Sequence, residues 1–235
     1  MTSRCLTLSL LVLGGAILLR ADDTPVDQLT PYETALTDYK TGKNDAALAA
    51  IDEAEKAKPG DPTTEILKAR ILGELLRFGD AIKTLTDLNG SAEMTPDFKN
   101  EQTLALGDID LHKRDFPAAA KFYDSLLTPV KPDPDLLLKA IYARIGMSDL
   151  LTAGKYFSEL KPLDTVNPSY YYAKAALARA NGQSSQADDA LQTAQTLYGI
   201  TVTNRYLKVY LRFFIPDTKN SESTSTVKPA PSGAR

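Results

Sequence analysis

A small residue recurs along this chain at a nearly constant interval, and that recurrence restricts the fold more than any other feature. Ala47, Ala81, Ala119, Ala153 and Ala187 are separated by 34, 38, 34 and 34 residues. Four residues after each anchor comes a larger apolar side chain: Ile51, Leu85, Tyr123, Phe157 and Leu191. Seven after it comes Ala54, Leu88, Leu126, Leu160 or Ala194. Intervals of four and seven put all three on one face of a helix. Gly42, Phe78, Phe116 and Gly182 precede the anchors at expected turn positions, and the one long interval is assigned to four extra residues in the loop Asn89–Pro96.

The rest of the chain agrees with short helices in pairs. Helical apolar spacing runs through segments such as Ala46–Ala57, Glu65–Leu76, Ala118–Leu127, Leu136–Met147 and Tyr170–Ala180. Breakers fall between segments: Lys58-Pro59-Gly60-Asp61-Pro62, Asn89-Gly90-Ser91, Pro129–Pro134, Lys161-Pro162 and Asn167-Pro168. No strand-length run of β-branched residues interrupts them, so the expected class is all-α. A small anchor lets the second helix of a pair approach the first, and the large residue one turn later fills the space between neighbours.

A helix–turn–helix period of 34 residues resembles the tetratricopeptide repeat family. The segment Leu106-Gly107 … Asp115-Phe116-Pro117-Ala118-Ala119 … Tyr123 … Leu126 follows that consensus, as does Gly42 … Ala47 … Ile51 … Ala54 … Pro59. Three repeats depart from it, with Ala69, Ile141 and Ala175 replacing the glycine of the first helix. The resemblance covers residues 28–201 as five repeats (28–61, 62–95, 100–133, 134–167 and 168–201) and implies a right-handed superhelical solenoid. A stack of this kind needs its end covered. Residues 202–215 are the expected capping helix, with Val202, Tyr206, Val209 and Phe213 on one face and Arg205, Lys208 and Arg212 on another.

Both termini read differently from the repeats. Met1–Arg4 is short and basic, Cys5–Leu19 is an apolar run, and Arg20-Ala21-Asp22-Asp23 follows. That is the pattern of a secretory signal, expected to be cleaved after Ala21, with 22–27 a linker. Fifteen helical residues reach only about 22 Å, short of a ~30 Å hydrocarbon core, so membrane attachment is expected only through an uncleaved signal. An exported, periplasmic or extracytoplasmic location follows. Residues 216–235 are rich in Ser, Thr, Pro and Lys and are expected to be a disordered tail.

Composition removes several chemistries. Cys5 is the only cysteine and lies in the signal, which leaves the mature chain without a disulfide or thiolate site. Without Arg4 and Arg20, the 27 basic residues fall to 25 against 30 acidic ones, a balance near −5 that gives no reason to bind nucleic acid. There is no GxxxxGK, GxGxxG or GxSxG pattern. His112 is the sole histidine and is read as a surface residue beside a groove. Asp108/Asp110 and Asp188/Asp189 stand too close in sequence to share a helix face and are read as solvated charges. No cofactor, metal or catalytic residue is expected.

What the resemblance implies is a concave groove lined by the first helix of each repeat, where partner peptides or helices bind. Carried onto this chain, the candidate groove residues are Tyr32, Tyr39, Arg70, Leu104, Asp108, His112, Tyr142, Tyr172 and Arg179. Tyr142 and Tyr172, in consecutive repeats, are expected either to flank one bound segment or to form ordinary core. The family's carboxylate clamp for chaperone tails is absent, since Tyr32, Leu36, Ile66, Leu104 and Asp108 hold those positions. The expected function is a non-catalytic scaffold or adaptor binding a protein or peptide. The alternatives are an accessory subunit of an envelope enzyme or secretion complex, and a self-assembling scaffold.

Overall fold

The first helix of a pair begins with a capping side chain followed by proline. The computed structural model describes residues 29–91, 93–127, 133–162 and 167–214. In it Thr30, Asp61, Thr95 and Asp133 cap α1 (Pro31–Thr41), α3 (Pro62–Glu74), α5 (Pro96–His112) and α7 (Pro134–Gly146). Each cap accepts a hydrogen bond from a first-turn backbone N–H, and proline sits where its missing N–H would have had no helical partner. At α9 (Ser169–Ala180) the Oδ1 of Asn167 accepts from the Ser169 N–H at 2.8 Å. The second helices are α2 (Asn44–Ala57), α4 (Phe78–Asp87), α6 (Phe116–Leu126), α8 (Leu150–Ser158) and α10 (Ser184–Phe214). The described residues contain helices and turns and no strand, so the chain is all-α.

Every pair reverses direction through the same device. Gly42, Leu76, Arg114, Ser148 and Gly182 have φ between 60° and 78°, and each stands five residues ahead of an anchor. The next N–H in each case reaches the carbonyl five residues back: Lys43 to Asp38, Arg77 to Leu72, Asp115 to Asp110, Asp149 to Arg144 and Gln183 to Ala178, all at 2.8–2.9 Å. This is the Schellman closure, which satisfies helix-end carbonyls. The sequence spacing puts two of these turns at Phe78 and Phe116. Those residues instead open α4 and α6, and the left-handed positions are occupied by Leu76 and Arg114.

The four extra residues also lie elsewhere than expected. Pro62, Pro96, Pro134 and Pro168 each fall fifteen residues after the preceding anchor, so the loop after α4 carries no insertion. The surplus is a helical turn: α5 has 17 residues where α3 and α7 have 13. Residues 96–99, left outside the repeats by the sequence reading, form its first turn.

All five anchor alanines are fully buried. Each helix packs on the next in sequence, and α1, α3, α5, α7 and α9 also pack successively on one another. The closeness of α5 and α6 is visible at Gly107, where a Cβ would come within 2.7 Å of the Tyr123 ring. Of the larger residues after the anchors, Ile51, Leu85 and Tyr123 are fully buried, whereas Phe157 and Leu191 are half-buried. Core clusters run along the chain, from Ala35, Ala47 and Ile51, through Ile66, Leu85 and Ala105, to a larger one spanning Leu111 to Phe213.

α10 is two helices joined at Gly199, whose φ of 75° and ψ of 161° no helix contains. Residues 184–198 complete the fifth pair. Residues 200–214 do more than cover α9. Phe213 stacks on Tyr142 of α7 and meets Phe116, while Arg212 reaches Glu74 of α3. The buried face is Thr203, Tyr206, Tyr210 and Phe213; Val202 is exposed and Val209 half-buried, which corrects the expected apolar face. The physical reason is the aromatic surface waiting on α7 and α9, which a Tyr/Tyr/Phe face matches better than the valines do.

The expected signal, linker and tail lie outside the described residues. Among the described residues no helix is long and apolar enough to cross a membrane.

Candidate functional site

The successive packing of α1, α3, α5, α7 and α9 aligns one repeat position into a row. Eleven residues ahead of the anchors stand Arg70, Asp108, Tyr142 and Ala176, and four residues nearer the start of each helix stand Ile66, Leu104, Leu138 and Tyr172. Residues 200–214 lie against this inner face, and the two together enclose a cavity of about 490 Å³. Of the sequence-named candidates, Tyr39, Arg70, Asp108, His112 and Tyr142 converge on its walls. Tyr172 and Arg179 are held by the returning helix. Tyr32 and Leu104 are half-buried and pack with the core clusters of their own ends of the stack.

At the carboxyl-terminal end the contacts are aromatic. Tyr142 stacks on Phe213 at 5.1 Å between ring centres, and Tyr172 on Tyr206 at 5.4 Å. The Tyr172 hydroxyl donates to the Thr203 carbonyl at 3.1 Å, and burial pushes its pKa up to about 12. Arg179 donates through Nε to the Tyr210 hydroxyl at 3.3 Å and pairs with Asp188 at 2.8 Å. Tyr142 and Tyr172 are therefore core, the second of the two expected roles, buried beneath residues 200–214 of the same chain. Asp188, expected to be a solvated charge, is mostly exposed while it pairs with Arg179.

At the amino-terminal end the walls are charged. Lys139 pairs with Asp108 at 2.8 Å, and Asp108 also accepts from the Tyr123 hydroxyl at 3.0 Å. Asp108 is therefore a half-buried structural acceptor and no free surface charge. Arg70 pairs with Glu101 at 2.5 Å. Burial works against its charge, but Asp108 and Glu101 outweigh burial and hold its pKa above the ordinary value. Arg212 pairs with Glu74 at 3.0 Å, and its Nη1 lies 3.3 Å from both ring nitrogens of His112. His112 is enclosed rather than on the surface, with Glu74 at 3.8 Å. Burial lowers its pKa, Glu74 opposes that and Arg212 reinforces it. Burial likewise drives the Tyr39 hydroxyl pKa upward.

The residues sequence reasoning missed are those of the returning helix, above all Arg205, Tyr206 and Lys208, together with Lys139 on α7. A signal existed: the basic stripe Arg205, Lys208 and Arg212 is spaced as one helical face, and Asp108 among the groove candidates puts an acidic group on the inner face. Among the described residues no group of three or more His, Cys, Asp and Glu side chains is arranged to hold a metal ion. No protein-family model matches the chain, and no curated protein matches it.

Proposed function

We propose that this chain is an exported, non-catalytic tetratricopeptide-repeat-like solenoid that holds a helical or extended segment of a partner protein against its inner face. The observation that carries this reading is the chain's own residues 200–214. An amphipathic helix is held there by ring stacking at Tyr142 and Tyr172 and by ion pairs at Glu74 and Asp135, the manner in which helix-in-groove recognition works. The recurring buried anchors and identical left-handed turns support the solenoid. A partner helix of similar pattern would exchange with residues 200–214 for the same surface.

Affinity capture from an envelope extract tests this. Tyr206→Ala with Phe213→Ala loosens the resident helix and should enrich the same partner several-fold over the parent chain. Capture that is absent, or equal for parent and variant, overturns the exchange. Export has its own check: amino-terminal sequencing of protein from its native host should begin near Asp22, and a soluble cytosolic chain still starting at Met1 would refute it.

A further inference from the structure

We infer that the cavity between the inner face and residues 200–214 is a binding site for a small organic anion with an apolar body, present while residues 200–214 hold their place and sharing walls with the partner surface proposed above. Its volume of about 490 Å³ falls in the ~300–1,000 Å³ range of small-molecule sites. Two features of its walls specify what would enter.

The first is unspent hydrogen-bonding capacity. Among the described residues Asn44 Oδ1, Arg70 Nε and Tyr142 Oη are buried with no hydrogen-bond partner in the chain, and all three residues line this cavity. Native structures leave few such groups, and each orphan is costly unless something fills the place of its partner.

The second is charge. The chain as a whole is acidic, yet six lysine and arginine side chains line the cavity against Glu74, Asp108 and Asp135. All three carboxylates are engaged: Glu74 by Arg212, Asp108 by Lys139, and Asp135 by Arg205 and the Ser169 and Tyr206 hydroxyls. Among the described residues Lys40 and Lys208 have no carboxylate within ion-pairing distance, whereas the other four cations each have one. The Lys208 ammonium projects over the α1–α2 turn, 2.2 Å from where a Cβ on Gly42 would stand. An anionic group at this end leaves Leu138, Ile109 and Val209 to cover an apolar body deeper in. The ligand class is therefore a carboxylate, or an equivalent anion, on a hydrocarbon or aromatic group.

Calorimetric titration of the full chain with 4-phenylbutyrate, 4-phenylbutanol and acetate separates the contributions. The acid should bind once per chain and at least tenfold more tightly than the alcohol, with acetate weaker than both. Lys40→Gln with Lys208→Gln should reduce the acid's preference below threefold without lowering the melting midpoint, since neither side chain has an ion pair to lose among the described residues. Tyr142→Phe should weaken the acid several-fold while the fold stays as stable; it also serves if the double variant fails to fold. Equal binding of acid and alcohol, no saturable binding, or acid binding indifferent to these variants each overturns the proposal. Because the readout is a small molecule, failure here leaves the partner-capture experiment to be judged by itself.

Discussion

Tyr142 and Arg70 occupy the same position of the repeat, eleven residues ahead of their anchors, and the chain treats them in opposite ways. In the fourth pair the position is aromatic, fully buried and stacked on Phe213. In the second pair it is a largely buried guanidinium paired with Glu101 at the wall of a cavity. The third pair has Asp108 and the fifth Ala176, so the inner face changes from charged to apolar between α5 and α7. One scaffold thus carries two surfaces. Where the face is apolar, burial of rings fixes the returning helix; where it is charged, ion pairs orient the helix without filling the space beneath it. Packing energy fixes the position of residues 200–214, and the electrostatics decide what remains open.

The sharpest way to break this contrast is to truncate both residues. Tyr142→Ala removes a ring from the largest core cluster and should cost about 3–5 kcal/mol. Arg70→Ala removes a partly exposed ion pair and should cost about 1 kcal/mol or less. Denaturant unfolding of the two variants decides the matter. Similar losses would mean that the charged end also carries the fold.

The anchors, by contrast, should not distinguish the two ends. Ala81, Ala119 and Ala153 are equally buried. Overpacking by Ala119→Leu should cost roughly 1–3 kcal/mol, and Ala81→Leu and Ala153→Leu should fall in the same range. A variant in this set that melts with the parent would show that its pair is not closed in the same way.

Acid should loosen the charged end first. His112 has a lowered pKa in the folded chain, so between the unfolded value near 6.5 and the lower folded one the unfolded chain binds more protons. Stability from this group is full above about pH 6.5 and is lost as pH falls through that window. The parent should lose melting temperature between pH 7 and 5.5, and His112→Gln should lose less. Asp61 and Asp149 also have lowered pKa values: burial opposes the shift at Asp61, where Lys58 and then the Thr64 cap bonds outweigh it, and the Thr152 cap bonds hold Asp149 down; they act only in the carboxylate range below that window. Parallel pH profiles for parent and variant would remove His112 from the account.

Legibility in the sequence followed the same division. The anchors could be read because burial between two helices admits only a small side chain, and that demand repeats whatever faces the groove. The helix starts could be read too: Thr30-Pro31, Asp61-Pro62 and Asp133-Pro134 share a cap-and-proline pattern. Thr95-Pro96 has it as well and would have shown that the four extra residues extend α5. Residues 202–215 could be read as a capping helix, but how far it reaches along the inner face could not, because its contacts with Glu74 and Tyr142 join residues far apart in the chain. The enclosure of His112 was hidden for the same reason, since its lid arrives from a hundred residues away.

The turns test the scaffold most finely. Gly42 and Gly182 suit their left-handed backbone, but Ser148 adopts φ of 61° with a side chain. A side chain in that region costs about 1–2 kcal/mol, and glycine gives back part of the gain through a freer unfolded chain. Ser148 is exposed, so Ser148→Gly changes little else. The net expectation is a stabilisation of a few tenths to about 1 kcal/mol, or roughly 1–4 °C in melting midpoint for a chain of this size. Gly182→Ala is the mirror experiment. A Cβ there meets nothing within 4 Å, so any loss comes from the backbone alone and should match the Ser148→Gly gain in size. If Ser148→Gly is neutral while Gly182→Ala destabilises, the two turns are not equivalent, and the fourth pair holds its left-handed residue by contacts that the fifth lacks.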